Sequence, residues 1–267
     1  MLLAIDVGNT NTTYGVYDGR TLRTTWRMGT RSERTSDETG MMLVQFLHHA
    51  GLAVDDIAHV ILCTVVPPVM HSLLNAIRKY VGREPVQVEP GVKTGINIRY
   101  ENPREVGADK IVNAVAALRL YGGPAIIVDF GTATTFCCVS EKYDYLGGVI
   151  CPGIKISAEA LFEKASKLTR VEIAKPRHVI GRTTVTSMQS GLVHGYVGQV
   201  EHIVALMKAE MINERMIAVS DKDIRVVATG GMCRLIGAES ACIQQVNPML
   251  TLEGLRIIHE MNHEQAR

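Results

Sequence analysis

Ile5-Asp6-Val7-Gly8-Asn9-Thr10-Asn11-Thr12 recurs as Val128-Asp129-Phe130-Gly131-Thr132-Ala133-Thr134-Thr135, aligned without gaps at an offset of 123 residues. Each copy follows an apolar run, Leu2-Leu3-Ala4-Ile5 in the first and Ala125-Ile126-Ile127-Val128 in the second. Small hydroxyl and amide residues follow before the chain turns apolar again. That pattern reads as strand, acidic glycine turn, strand. Two such hairpins predict two related halves, because self-similarity at a fixed offset marks a duplicated architecture. The chemistry is expected where the two turns face each other.

Composition is consistent with one large or two moderate domains. The chain has 267 residues, 46% of them apolar, which is ample for real cores. The repeat suggests a division into residues 1–116 and 117–267. With 28 basic against 27 acidic residues the net charge is +1, which leaves no electrostatic footprint for nucleic acid and no basic patch for a membrane surface. Apolar stretches are of strand length, and Asp6 interrupts the first of them, so a cytoplasmic protein is expected. The six cysteines form no CxxC pair and sit mostly within apolar runs, which points to buried reduced thiols rather than disulfides or a zinc site.

Between the copies the signals alternate. Tyr14 to Tyr17 continues the first hairpin, Asp18-Gly19 is a turn, and Thr21 to Arg27 alternates as a third strand. Thr35-Ser36-Asp37-Glu38 is a capping box opening an amphipathic helix that ends at Gly51. His59 to Val66 reads as a buried strand, Pro67-Pro68 starts a helix ending near Gly82, and Val86 to Val88 is a short strand. Residues 89–106 read as a long functional loop. A helix follows from Lys110 to Tyr121. Asp109 at its mouth is either an N-cap or a carboxylate held ionised by the helix dipole and first-turn amides.

After the second copy the chain repeats the opening, with Tyr143 to Ile150 as a third strand and Ile154 to Leu168 as a helix. A long helix then reaches about Met211. Its Gly191, Gly195 and Gly198 are read as close packing within the domain, with a subunit interface as the alternative. Ile224 to Ala228 is a strand ending in Thr229-Gly230-Gly231, and Leu252 to His263 closes the chain as a helix.

An Asp on the first strand of a hairpin, followed by Gly and hydroxyl or amide residues, offers amides to phosphate oxygens and a carboxylate to a hydrated cation. Any one such turn is common and usually structural. The pairing of two, with a third glycine turn at residues 229–231, makes nucleotide binding the preferred reading. There is no GxxxxGK[ST] and no GxGxxG to support a P-loop or a Rossmann site. His259-Glu260-Met261-Asn262-His263 satisfies the zinc-peptidase pattern HExxH, but it lies four residues from the last one given, without a downstream third ligand, and is read as a helix end. His178 and His194 are read as surface or packing residues.

Asp6-Val7-Gly8-Asn9-Thr10, Gly107-Ala108-Asp109-Lys110, Asp129 to Thr135, Gly147-Gly148-Val149-Ile150-Cys151-Pro152-Gly153 and Thr229-Gly230-Gly231 together resemble type III pantothenate kinase, and the likeness runs on to Leu250-Thr251-Leu252-Glu253-Gly254-Leu255. The resemblance implies an α/β fold of two ribonuclease-H-like domains, as in the acetate and sugar kinase, Hsp70 and actin superfamily. It also implies a homodimer whose substrate site borrows from the neighbouring subunit. Asp6, Val7, Gly8, Asn9, Thr10, Asn11, Thr12 and Thr13 would bind ATP phosphates, with Asp6 toward Mg2+ and Thr132 also contacting ATP. Asp109 would be the base for the primary hydroxyl of pantothenate. Tyr100, Gly107, Ala108, Asp109 and Lys110 would hold pantothenate, with Thr184 from the opposite subunit, and Asp129 would bind a monovalent cation, K+ or NH4+. Lys110 stands where the family usually has arginine, and Thr183 where it has asparagine before Thr184; neither change touches the three aspartates. A regulatory protein on the same fold and a kinase for another small hydroxylated substrate are the alternatives.

Overall fold

Leu2–Val7 (β1) is buried at every position but Asp6, as befits a central strand covered on both faces. The computed structural model, which describes residues 1–218 and 220–263, pairs β1 antiparallel with Asn11–Asp18 (β2), and β2 with Thr21–Gly29 (β3). Ser36–His49 (α1) opens on the expected capping box: the Glu38 amide donates to Thr35 Oγ1 at 3.2 Å and the Thr35 amide to Glu38 Oε2 at 2.8 Å. His59–Thr64 (β4) returns parallel to β1, Pro67–Ala76 (α2) begins on its two prolines, and one wider turn over Ile77–Val81 stops at Gly82, where φ is +68°. Val86–Gln87 (β5) completes a sheet of order β3-β2-β1-β4-β5.

The long loop is not without structure. It contains the two-residue strand Asn97–Ile98 (β6) and a 3-10 turn at Pro103–Glu105, then enters Ala108–Tyr121 (α3). The second copy supplies Ala125–Phe130 (β7), Ala133–Val139 (β8) and Asp144–Pro152 (β9). Ile154–Lys164 (α4) and Thr184–Asn213 (α5) follow, then Arg225–Gly230 (β10), Cys233–Gly237 (α6) and Gln245–Val246 (β11). The sheet order is β11-β10-β7-β8-β9-β6. Apart from the added β6, this is the order of the first sheet, with the same mixture of parallel and antiparallel pairs. Each half therefore runs three antiparallel strands, a helical stretch, a parallel strand, a helix, a short parallel strand and a helix, as expected of two ribonuclease-H-like halves.

The repeat is not gapless in space. Val7 pairs with Thr12 across the first turn, whereas Phe130 pairs with Thr134 across the second. Four residues therefore connect the first hairpin and three the second. Thr12, Thr13 and Tyr14 correspond to Thr134, Thr135 and Phe136, one residue out from the sequence alignment. The pleat requires this, because a slip of one residue turns every side chain to the other face: Thr12 and Tyr14 are buried, as are Thr134 and Phe136.

The compact units do not follow chain order either. Among the described residues one comprises 1–95, 104–116 and 251–263; the other comprises 96–103 and 117–250. A cut at 116/117 thus parts all but the first residue of Leu250–His263 (α7) from the unit it packs with: Thr251 Oγ1 lies 2.9 Å from Asn113 Oδ1, and Asn262 Nδ2 donates to the Lys93 carbonyl at 2.9 Å. Leu252 of α7 fills the space beside Gly15 of β2, and Gly254 lies against Val112 of α3. In the second unit α5 buries Leu192, Val193, Val200, Val204 and Met211 against the sheet. Its three glycines do not serve that packing, since a methyl group added at Gly191, Gly195 or Gly198 meets nothing within 4 Å. The reading of tight packing within the domain is corrected on this point. No helix among the described residues is long and apolar enough to cross a membrane.

Candidate functional site

The parallel pairing of β1 with β4 sets Asp6 opposite Cys63. The buried Cys63 thiol donates to Asp6 Oδ1 at 3.5 Å. Burial pushes this thiol well above the usual cysteine range, and the Asp6 and Asp109 carboxylates push it the same way. Cys63 is therefore a protonated donor, not a nucleophile, and it marks the place where the fold brings Asp6 and Asp109 to bear on one atom. Sequence reasoning missed it, having classed all six cysteines together. No disulfide joins any of the six in the described structure.

Asp109 is not an N-cap. The Lys110 and Ile111 amides donate to the Gly107 carbonyl at 3.0 and 3.4 Å, so Gly107 opens α3 and Asp109 lies within its first turn. Asp109 Oδ1 is shut away from solvent without a hydrogen-bond partner, and Lys110 Nζ stands 3.8 Å from it. A β-carbon at Gly107 would strike Asp109 Oδ1, so the bare glycine backbone leaves that carboxylate its present orientation.

Of the residues expected at the first turn, Val7 is committed to the core and Thr12 is buried, while Asn9 and Thr10 are exposed. The turn is braced from β3's end. The Gly8 amide donates to the Asn11 carbonyl at 3.1 Å, Thr30 Oγ1 donates to the Gly8 carbonyl at 2.7 Å, and the Thr30 amide donates to the Thr10 carbonyl at 3.0 Å. Thr30 was not singled out from the sequence; its signal is only a hydroxyl just past a predicted strand.

In the second unit Asp129 pairs in register with Thr229, and Phe130 with Gly230. Gly230 has φ of +87°, and a β-carbon there would strike Asp129 Oδ1 and lie 2.7 Å from the Phe130 backbone. The amides of Gly131 and Gly153 donate to the Ala133 and Thr132 carbonyls, each at 3.1 Å, which fixes the exposed turn at Thr132. Tyr100 is exposed, its ring 6.4 Å from that of Tyr145. Thr184 is the first residue of α5, beside a cavity of about 1020 Å³ that Arg182, Gly191 and Gly195 also line. Tyr100 does not line that cavity, so a single chain does not bring Tyr100 and Thr184 together in it.

Residues 2–206 match the family described as type III pantothenate kinase. The chain belongs to that family. Solved structures agree on the fold. A protein from Campylobacter jejuni, described as a Baf family transcriptional activator, aligns with TM-score 0.59 at 17% identity over 98% of this chain and 99% of that one. The activator of the 2-hydroxyisocaproyl-CoA dehydratase from Clostridium difficile, with bound ADPNP, gives 0.53 at 12% identity over 99% and 97%. The ethanolamine utilization protein EutJ from Carboxydothermus hydrogenoformans gives 0.51 at 13% identity over 96% and 89%. The two halves thus share the α/β, ribonuclease-H-like fold expected of them.

The two departures from the pattern of the type III pantothenate kinase family now have local settings. Thr183 caps α5, accepting from the Thr186 amide at 3.2 Å. Threonine and asparagine both cap well, so the exchange keeps the function the helix needs at that position. Lys110 places a single ammonium beside Asp109 where arginine would present a planar fork.

Proposed function

We propose that the protein transfers the γ-phosphoryl group of ATP to the primary hydroxyl of pantothenate, giving 4'-phosphopantothenate on the way to coenzyme A. The observation that carries this reading is Asp109 Oδ1, buried in the first turn of a helix with its hydrogen-bonding capacity unused. A hydroxyl donating to that atom would satisfy it. As the alcohol oxygen attacks phosphorus, the same carboxylate would take its proton, which phosphoryl transfer needs only late, once the reactants are positioned in line. The bland alternative, a capping aspartate, would have its oxygens on helix amides.

The braced turn at residues 8–11 suits phosphate oxygens, and Asp6, which receives a neutral donor from Cys63, suits Mg2+. Magnesium neutralises phosphate charge when bound. Asp129 is approached closely by the bare backbone of Gly230, which leaves room beside its carboxylate for K+ or NH4+. Thr132, Tyr100, Gly107, Ala108 and Lys110 complete the expected contacts. The open glycine face of α5, together with exposed Val179, Ile180 and Val185, supports a second copy covering it and bringing its Thr184 to the neighbour's substrate.

The test is direct. Purified protein is incubated with pantothenate, ATP and Mg2+, with and without K+, and phosphopantothenate is sought by mass spectrometry. Its absence under every condition sinks the proposal and favours a regulatory protein; phosphorylation of a different alcohol favours another small-molecule kinase.

A further inference from the structure

The HExxH match finds its third ligand upstream rather than downstream. His259 and His263 lie one turn apart on α7, and His59 opens β4 beside them. The ring centroids are 4.1 Å apart for His259 and His263, 4.3 Å for His59 and His263, and 4.9 Å for His59 and His259. One ring nitrogen from each falls within 4.8 Å of the others. His259 Nδ1 is sealed from solvent without a hydrogen-bond partner.

We propose that His59, His259 and His263 form a site for one divalent transition-metal ion, of which Zn2+ is the expected occupant, with water as the fourth ligand. Zn–N bonds of about 2.0–2.1 Å in a tetrahedron set the nitrogens roughly 3.3 Å apart, so closure needs about 1.5 Å of movement. His59 and His263 are exposed and can supply it by side-chain rotation. Three imidazoles without carboxylate or thiolate favour zinc, nickel, cobalt or copper over magnesium or calcium.

This is not a peptidase centre. Glu260 Oε1 accepts from Arg256 Nη1 at 2.6 Å, so the glutamate that would serve a metal-bound water is already engaged. The site is also remote from the proposed chemistry. His59 and Cys63 are four residues apart along one strand, or roughly 13 Å. The ion would tie the end of α7 to the start of β4, stapling residues some 200 apart in sequence. That predicts metal-dependent stability without metal-dependent turnover.

The experiment titrates chelator-stripped full-length protein with Co2+ and Zn2+. One equivalent is expected to bind at micromolar affinity, with a cobalt spectrum lacking thiolate charge transfer. Zinc at about a hundredfold over Kd should raise Tm by about 5 °C or more, leaving turnover unchanged. His59→Gln and His263→Gln should each weaken binding by more than the roughly tenfold loss typical of outer-shell partners. Both replaced side chains are exposed, so the metal-free variants should melt as the parent does. No stoichiometric binding, a thiolate spectrum, or full affinity in both variants overturns the site. The kinase assay is independent, so either proposal can fail alone.

Discussion

The two aspartate turns are built on one template and then diverge. In both, a buried strand ends in Asp, an apolar residue and Gly, and a parallel neighbour lies alongside. Around Asp6 the neighbour offers Cys63, and Asp109 joins from α3. Around Asp129 it offers Thr229 and the bare backbone of Gly230. The first turn is also one residue longer. A duplicated strand pattern therefore specifies where a carboxylate stands, whereas the elements added around it decide its chemistry. A second acid suits proton transfer on one side; on the other, close backbone approach suits holding an ion or a nucleotide.

The largest expected break of this contrast is Asp109→Asn, which keeps shape and removes the base. Turnover should fall by about 10² to 10⁴, with the protein still folded by circular dichroism. Near-normal turnover would take Asp109 out of the mechanism. Deleting Asn9 makes the first turn as short as the second. If its extra residue serves phosphate oxygens, KM for ATP should rise by about 10- to 100-fold, the equivalent of one charge-assisted hydrogen bond at roughly 1.5–3 kcal/mol; an unchanged KM would make the turns interchangeable.

Gly230→Ala should cost about 1–3 kcal/mol in a denaturant titration, because it places a β-carbon at positive φ against Asp129 and Phe130. Gly231→Ala is the control: nothing lies within 4 Å of its added carbon, so equal losses would refute the close-approach account. The smallest effect is expected at the α5 cap. Thr183→Ala should lose about 1 kcal/mol, and Thr183→Asn only a few tenths; a large asparagine effect would mean that Thr183 does more than cap.

Much of the fold was legible because its signals are local. The capping box at Thr35 and Glu38, the prolines that open α2, and the apolar runs of β1 and β7 each follow from neighbours in the chain. So does the candidacy of Asp109, whose helix is announced by its own periodicity. Other features depend on partners far along the chain. Cys63 acquires a role only through parallel register with Asp6. β6 and β11 are two residues each, too short for any periodicity to show. The extra residue of the first turn escaped detection because Asn11-Thr12-Thr13 and Ala133-Thr134-Thr135 look alike under a slip of one. His59 carries no sign in sequence that it meets a helix some 200 residues later.

The return of α7 to the first unit has a consequence for biosynthesis. Leu252, Leu255 and Ile258 are all but inaccessible to solvent, yet the ribosome makes them after the whole second unit. Until they emerge, Gly15 of β2 and Val112 of α3 lack the partners that cover them. The second unit can mature on the nascent chain while the first, begun earlier, waits with an uncovered apolar face, the state in which multidomain chains are most open to misassembly and to chaperones.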